Sequence, residues 1–302
     1  MNVADAMTPR DALVTVSLPG TRDDALGYLQ DREFSSVPVV KDDDGEETFR
    51  GLVSRQTLIE RPDEDQLAIL AEDGPTTTAD TSIEDVAHLM VTEGARRVPV
   101  VDDEARSASE RSSGQRPRDG RLEGIVTITD VIRAIAEDEV AGDTEVGDLA
   151  SRTVNTVYVD TPLTVAEREL SYTDVPYAVV LDDDAAMCGV LTEVDILEVA
   201  RIVEGETGTG ESIANQDDDW MWEGIKAVGN RYLPTRNVEI PADPVREFMT
   251  SDVVTVGETQ IAREVAQAML TNDIEQIPLV SGGELVGVVR DANLLENLYD
   301  RS

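Results

Sequence analysis

One cysteine and one histidine in 302 residues leave no internal disulfide, no Cys or His cluster for a metal, and no located nucleophile for His88 to serve. Cys188 sits on an apolar strand pattern and reads as a buried, inert thiol, and His88 is assigned no role. There is no Gly-rich phosphate loop of the Walker type. No run approaches the ~20 apolar residues of a membrane span, and the start lacks the basic-then-apolar pattern of a signal peptide. These absences predict a cytoplasmic, non-enzymatic protein. Lysine is nearly missing too: Lys41 and Lys226 are the only two. With no basic stripe, binding of nucleic acid through its phosphates is disfavoured.

Acid is what the chain has in excess. Asp plus Glu number 63 against 25 Lys plus Arg, a net charge of −38. In ordinary salt such a chain repels itself. At molar salt the Debye length falls to about 3 Å and the repulsion is screened. Because the acid is spread along the whole chain, its simplest reading is a halophile's cytosolic protein rather than a binder of basic partners.

A frame recurs four times: Gly51-Leu-Val-Ser54-Arg-Gln-Thr57, Gly124-Ile-Val-Thr127-Ile-Thr-Asp130, Gly189-Val-Leu-Thr192-Glu-Val-Asp195 and Gly287-Val-Val-Arg290-Asp-Ala-Asn293. Ahead of each lies a strand signal with Pro, namely Val37-Pro38-Val39, Val98-Pro99-Val100, Val175-Pro176-Tyr177 and Ile277-Pro278-Leu279. The Pro-to-Gly gaps are 13, 25, 13 and 9 residues, which predicts a turn of variable length between two constant strands. A helical apolar pattern precedes each Pro, as in Val86, Ala87, Leu89 and Met90, or Val265, Ala266 and Met269. Short extended pieces open the units: Val14-Thr15-Val16, Thr76-Thr77-Thr78, Thr156-Val157-Tyr158 and Val254-Thr255-Val256. A closing helix begins near Asp130, Asp195 and Asn293, residues suited to an N-cap. The unit reads β-α-β-β-α. Val3–Thr8 and Val245–Thr250 share a second pattern and read as leads into the first and fourth units. A fixed frame repeated in this way marks a repeat protein.

These residues resemble four tandem CBS domains, named after cystathionine β-synthase, which pair into Bateman modules. The resemblance implies an α/β (α+β) fold in a disc-like arrangement, with repeats at 1–60, 61–140, 141–200 and 243–302. Two segments fall outside the repeat pattern. Residues 102–121 lengthen a turn of the second repeat and carry five Arg between Arg106 and Arg121 against Glu110 and Asp119, a balance of +3. They read as a solvated hairpin loop or as a docking site for an acidic partner. Residues 201–242 read as a linker holding an acid-capped helix, Asp217–Val228, whose Trp220 and Trp222 pack on a module face or across a dimer.

Carried over residue by residue, the resemblance implies up to four adenosine sites. A helix-opening Asp accepts from the ribose diol, and a Thr three residues earlier donates to a 5′ phosphate. Thr127 and Asp130 are expected to face Thr15, Ser35, Ser36 and Val37. Thr192 and Asp195 face Thr255, Gln276 and Ile277, with Glu275 opposing a phosphate. Ser54 and Thr57 face Thr78 and the pair Arg96 and Arg97, a phosphate contact without the carboxylate. Arg290 and Asn293 form the fourth. The implied function is a non-catalytic regulatory sensor of AMP, ADP, ATP or S-adenosylmethionine. The resemblance implies that ligand binding is passed on to a regulated protein, by a chain that is a monomer or a homodimer. A ligand-free scaffold built from the same modules is the alternative. As pure structure, Thr127 satisfies a strand end and Asp130 caps a helix.

Overall fold

The structure, a computed structural model, describes residues 1–31, 36–43, 46–54, 57–58, 61, 64–102, 120–173, 175–204 and 236–299. Met1–Ser151, Val256–Leu279 and Val289–Ser302 form one compact unit. Arg152–Thr255 with Val280–Val288 form a second. The strands in chain order are β1 (Thr8–Pro9), β2 (Val16–Leu18), β3 (Ser36–Asp43), β4 (Glu46–Ser54), β5 (Arg97–Val101), β6 (Leu122–Thr127), β7 (Thr156–Tyr158), β8 (Tyr177–Leu181), β9 (Met187–Thr192), β10 (Arg201–Glu204), β11 (Arg236–Glu239), β12 (Val256–Gly257), β13 (Gln276–Ser281) and β14 (Glu284–Arg290). Small three-stranded sheets, β2-β3-β4, β7-β8-β9 and β12-β13-β14, alternate with helices in the expected α+β order.

In the first and third repeats the opening strand runs parallel to the next, with Val16 beside Val39 and Thr156 beside Val179, and an antiparallel hairpin follows. The intervening helices have one apolar face. Ile83–Glu93 buries Ile83, Val86, Ala87, Leu89 and Met90, is capped by Ser82, and ends at Gly94 with φ +65°. Ala262–Asn272 buries Val265, Ala266 and Met269 and packs on Ile128–Ala136 of the second repeat. Asp291–Glu296 packs in the same way on Ile83–Glu93. The fourth repeat's helices therefore share a core with the second repeat, and this is why the first compact unit does not end at a repeat boundary.

The hairpins of the first three repeats carry a bulge one residue before the frame Gly, at Arg50, Glu123 and Cys188. The Gly then pairs with Val39, Val100 and Val180 respectively. That register corrects the sequence alignment of the third repeat. Pro38 and Pro99 lie inside their strands, one place before the Gly partner. The residue at that place in the third repeat is Val179, so Pro176 stands three positions earlier, ahead of the strand. The two 13-residue gaps match only because the first hairpin runs on to Asp43 and Glu46, whereas the third turns at Asp182–Ala186.

The frame Gly has a packing reason. A short lead-in segment crosses it and pairs with the next residue: Thr8 with Ile125, Glu72 with Leu52, Thr250 with Val190. A Cβ on Gly124 would lie 2.6 Å from the Thr8 carbonyl oxygen, and one on Gly51, at φ +138°, would lie 2.8 Å from that of Glu72. These crossings exchange partners. Val3–Thr8 precedes the first repeat in sequence but binds the second, through Val3 N–H to the Thr81 carbonyl and β1 to β6. Leu67 and Leu70 precede the second and complete the core of the first, with Val37, Val39 and Val53. Val245 precedes the fourth and completes the core of the third, with Leu163, Val180 and Leu191. Val146–Leu149 precedes the third and bonds to Gln260 and Glu258 of the fourth. Each lead-in thus locks a pair, first with second and third with fourth.

Of the odd segments, residues 103–119 of the 102–121 loop and the helix expected around Trp220 and Trp222 lie outside the described residues. The two ends of the 201–242 segment, expected as a linker with an acid-capped helix, pair as an antiparallel ribbon, β10 on β11, with Arg201 beside Glu239 and Glu204 beside Arg236 in the backbone register.

Candidate functional site

Thr127 is the N-cap of the helix Ile128–Ala136, and Asp130 is its third residue. The helix-opening position assigned to Asp130 from sequence is therefore shared by the two residues as a capping box. Thr127 donates from N–H and Oγ1 to Asp130 Oδ2 at 2.9 and 2.7 Å, and the Asp130 N–H returns to Thr127 Oγ1 at 3.3 Å. Asp130 Oδ1 accepts from Arg133 at 2.9 Å, and its side chain is 11% exposed. Arg133 was not among the expected site residues, although Asp-x-x-Arg on a helix is a readable signal. Thr192 and Asp195 repeat the box at 2.7, 2.7 and 3.3 Å. Ser54 Oγ lies 2.8 Å from Thr57 Oγ1 and accepts the Thr57 N–H at 3.0 Å. The Arg290 N–H donates to Asn293 Oδ1 at 3.0 Å.

Arg97 joins residues that the sequence assigned to two separate sites. It is the ladder partner of Thr127, so the two side chains leave one face of the sheet. Its Nη1 donates to Ser36 Oγ at 3.1 Å, and Ser36 is in turn the ladder partner of Ser54. One hydrogen bond, from Arg97 to Ser36, thus joins the hairpin of the second repeat that carries Thr127 to the hairpin of the first repeat that carries Ser54. Burial pulls the Arg97 pKa below its ordinary value, the neighbouring Arg96 charge lowers it further, and Glu275 opposes both. Arg97 makes no ion pair among the described residues, and an anion there would relieve this cost.

Arg96 is held differently. Its Nη2 lies 2.6 Å from Asp291 Oδ2 and 2.7 Å from Glu275 Oε1. Burial alone would lower its pKa, but these two carboxylates more than compensate and raise it. It is therefore committed to the fourth repeat and does not stand with Arg97 as a free pair.

The remaining expected residues are placed as follows. Thr15 Oγ1 accepts from Arg10 Nη2 at 3.1 Å, and Arg10 Nε is bonded to Glu47 at 2.7 Å. Val37 and Ile277 are fully buried, backbone included. Thr255 is exposed ahead of β12, and Gln276 opens β13. Ser35 lies outside the described residues. Cys188 is half-buried, and burial raises its thiol pKa, which suits an inert role. His88 stacks edge-on against Tyr299, ring centroids 4.5 Å apart. A cleft of about 410 Å³ in the second unit is lined by Val199, Pro241, Phe248 and the carboxylates of Glu198, Asp243 and Glu247, a lining that repels phosphate. Among the described residues no cluster of His, Cys, Asp and Glu is arranged to hold a metal, and no helix is long and apolar enough to cross a membrane.

Comparison with known proteins agrees with the repeat count. The sequence matches the CBS domain family over residues 3–64, 69–106, 146–201 and 245–300. It is 24% identical over 298 residues to uncharacterized protein MJ1404 of Methanocaldococcus jannaschii, covering 99% of this chain and 62% of that protein's length. The structure resembles an uncharacterized conserved protein from Pyrococcus horikoshii with a TM-score of 0.67 and 26% identity, covering 99% of this chain and all of that one. It also resembles MJ1225 of Methanocaldococcus jannaschii, a candidate archaeal homolog of g-AMPK, with a TM-score of 0.64 at 18% identity, covering 98% and 99% of the two chains. With four matches that together take in most of its length, the chain belongs to the CBS domain family.

Proposed function

We propose that this protein is a non-catalytic sensor of adenosine-containing ligands, AMP, ADP, ATP or S-adenosylmethionine, that passes a conformational change to a partner protein. The observation that carries the reading is Arg97, which donates to Ser36 of the first repeat and stands across the ladder from Thr127, the partner of Asp130 in the capping box. A phosphate at Arg97 replaces a missing counter-charge, while Asp130 retains lone pairs for a ribose diol. Thr192 and Asp195 form a second, weaker candidate, suited to an adenosyl compound with little negative charge. Binding that favours one arrangement of paired repeats over another shifts their populations, and a partner reads the shift. The test is mass spectrometry of small molecules released from protein purified in molar salt, followed by calorimetry. Arg97→Ala is expected to weaken a phosphate-bearing ligand by about 10- to 100-fold.

One observation favours a second reading, a ligand-free scaffold. Both Thr-x-x-Asp pairs are already used as helix caps, and Arg96 is neutralised by protein carboxylates. If no adenosine compound co-purifies or binds, this reading takes over.

The charge of −38 supports a cytoplasmic protein adapted to brine. Its far-ultraviolet circular dichroism is expected to lose structure below a few tenths molar salt, on the order of the concentration where screening fails at contact range. A spectrum unchanged at low salt would remove the halophile assignment and leave the sensor reading in place.

A further inference from the structure

The two carboxylates on Arg96 are not alike. Asp291 is 8% exposed and fixed at both oxygens: Oδ1 accepts the Ala292 N–H at 2.7 Å, and Oδ2 faces Arg96. The Glu275 side chain is 62% exposed, and Arg96 is its ion-pair partner among the described residues. The backbone sets them side by side, since the Asp291 N–H donates to the Glu275 carbonyl at 2.9 Å. Arg96 and Arg97 are adjacent, so the local sum of two guanidiniums and two carboxylates is zero. Glu275 also acts on Arg97 at a distance, in the sense of a nearby negative charge.

We propose that Glu275 is a charge selector for the anion cradle at Arg97, a movable carboxylate that sets how much negative charge a ligand can bring. This rests on the adenosine reading and deepens it. One phosphate meets Arg97 and is little disturbed. Each further phosphate must either face the Glu275 carboxylate or displace it from Arg96, and like charges at this range oppose one another strongly in a partly buried site. Asp291 does not share the role, because moving it would strand a buried carboxylate. Glu275, half free in solvent, swings out at little cost and leaves Arg96 to the ligand. By reciprocity, a ligand that claims Arg96 loosens the link between the second and fourth repeats.

The test compares wild type and Glu275→Gln by calorimetry at matched salt, with AMP, ADP, ATP and inorganic tripolyphosphate as probes. Because the Glu275 side chain is mostly exposed and the variant keeps Asp291 on Arg96, its unfolding midpoint is expected to be unchanged. The gain in affinity is expected to rise with phosphate number, from less than about threefold for AMP to about tenfold for ATP. Equal gains for all ligands, or none, overturn the selector while leaving the sensor reading intact. If no nucleotide binds either protein but tripolyphosphate prefers the variant, the sensor reading falls and the selector stands as a property of the anion cradle. If nothing binds either protein, both fall.

Discussion

The second and third repeats end their hairpins with the same device and set different residues against it. Thr127 and Asp130 form a capping box, and so do Thr192 and Asp195, with hydrogen bonds that agree within 0.2 Å. Across the ladder from Thr127 stands Arg97, while across from Thr192 stands Tyr177, 3% exposed in an apolar cluster with Val179 and Val288. The Thr-x-x-Asp frame is thus first a property of the fold. What makes one copy a candidate anion site is the cation opposite it, a residue that lies outside the frame altogether.

The comparison breaks or holds most visibly at the two carboxylates. Asp130→Ala and Asp195→Ala each remove a capping partner and are expected to cost about 0.5–2 kcal/mol of stability, measured by chemical denaturation. Asp130→Ala should in addition weaken AMP or ATP by about 2–4 kcal/mol, because a carboxylate holding a ribose diol makes charge-assisted bonds. Asp195→Ala should leave the affinity for these nucleotides within about threefold, since among the described residues Tyr177, not a cation, stands across the ladder from Thr192. Equal losses in calorimetry would show that Arg97 does not separate the two copies.

Much of this was legible before the structure. The Gly, the Thr and the Asp recur because each answers a local demand, a close crossing or a helix start, and local demands leave spacing in the sequence. Register and long-range partners do not. Pro176 was aligned with Pro38 on an equal gap, and only strand pairing reveals that the gap spans hairpins of different length. The exchange of lead-in segments leaves no mark in the sequence, because Val3–Thr8 adjoins the first repeat in the chain while its hydrogen bonds go to the second. Arg96 was read beside Arg97 as a phosphate pair, but Asp291, 195 residues away, claims it. The sequence divides Arg97 and Ser36 between two sites, because the bond that joins them crosses between repeats.

The smaller difference between the two repeats lies at the crossing. A Cβ on Gly124 would meet the Thr8 carbonyl oxygen at 2.6 Å and Met7 Sδ at 2.8 Å. On Gly189 it would meet Met249 Sδ at 2.5 Å and the Thr250 carbonyl oxygen at 3.0 Å. The nearest obstacle is backbone in the first case and the end of a flexible thioether in the second. A Met side chain moves aside at small cost, whereas Thr8 is pinned by its pairing with Ile125. Gly124→Ala is therefore expected to destabilise by about 1–3 kcal/mol, and Gly189→Ala by under about 1 kcal/mol, measured as shifts in denaturation midpoint at constant slope. Because the Gly124 crossing carries the exchanged segment that locks the first repeat to the second, its loss should also loosen the contact from Arg97 to Ser36. Nucleotide affinity should then fall together with stability in Gly124→Ala and stay level in Gly189→Ala. A loss of stability in Gly124→Ala with affinity unchanged would mean that the cradle is assembled by the hairpins alone, without help from the lead-in segment.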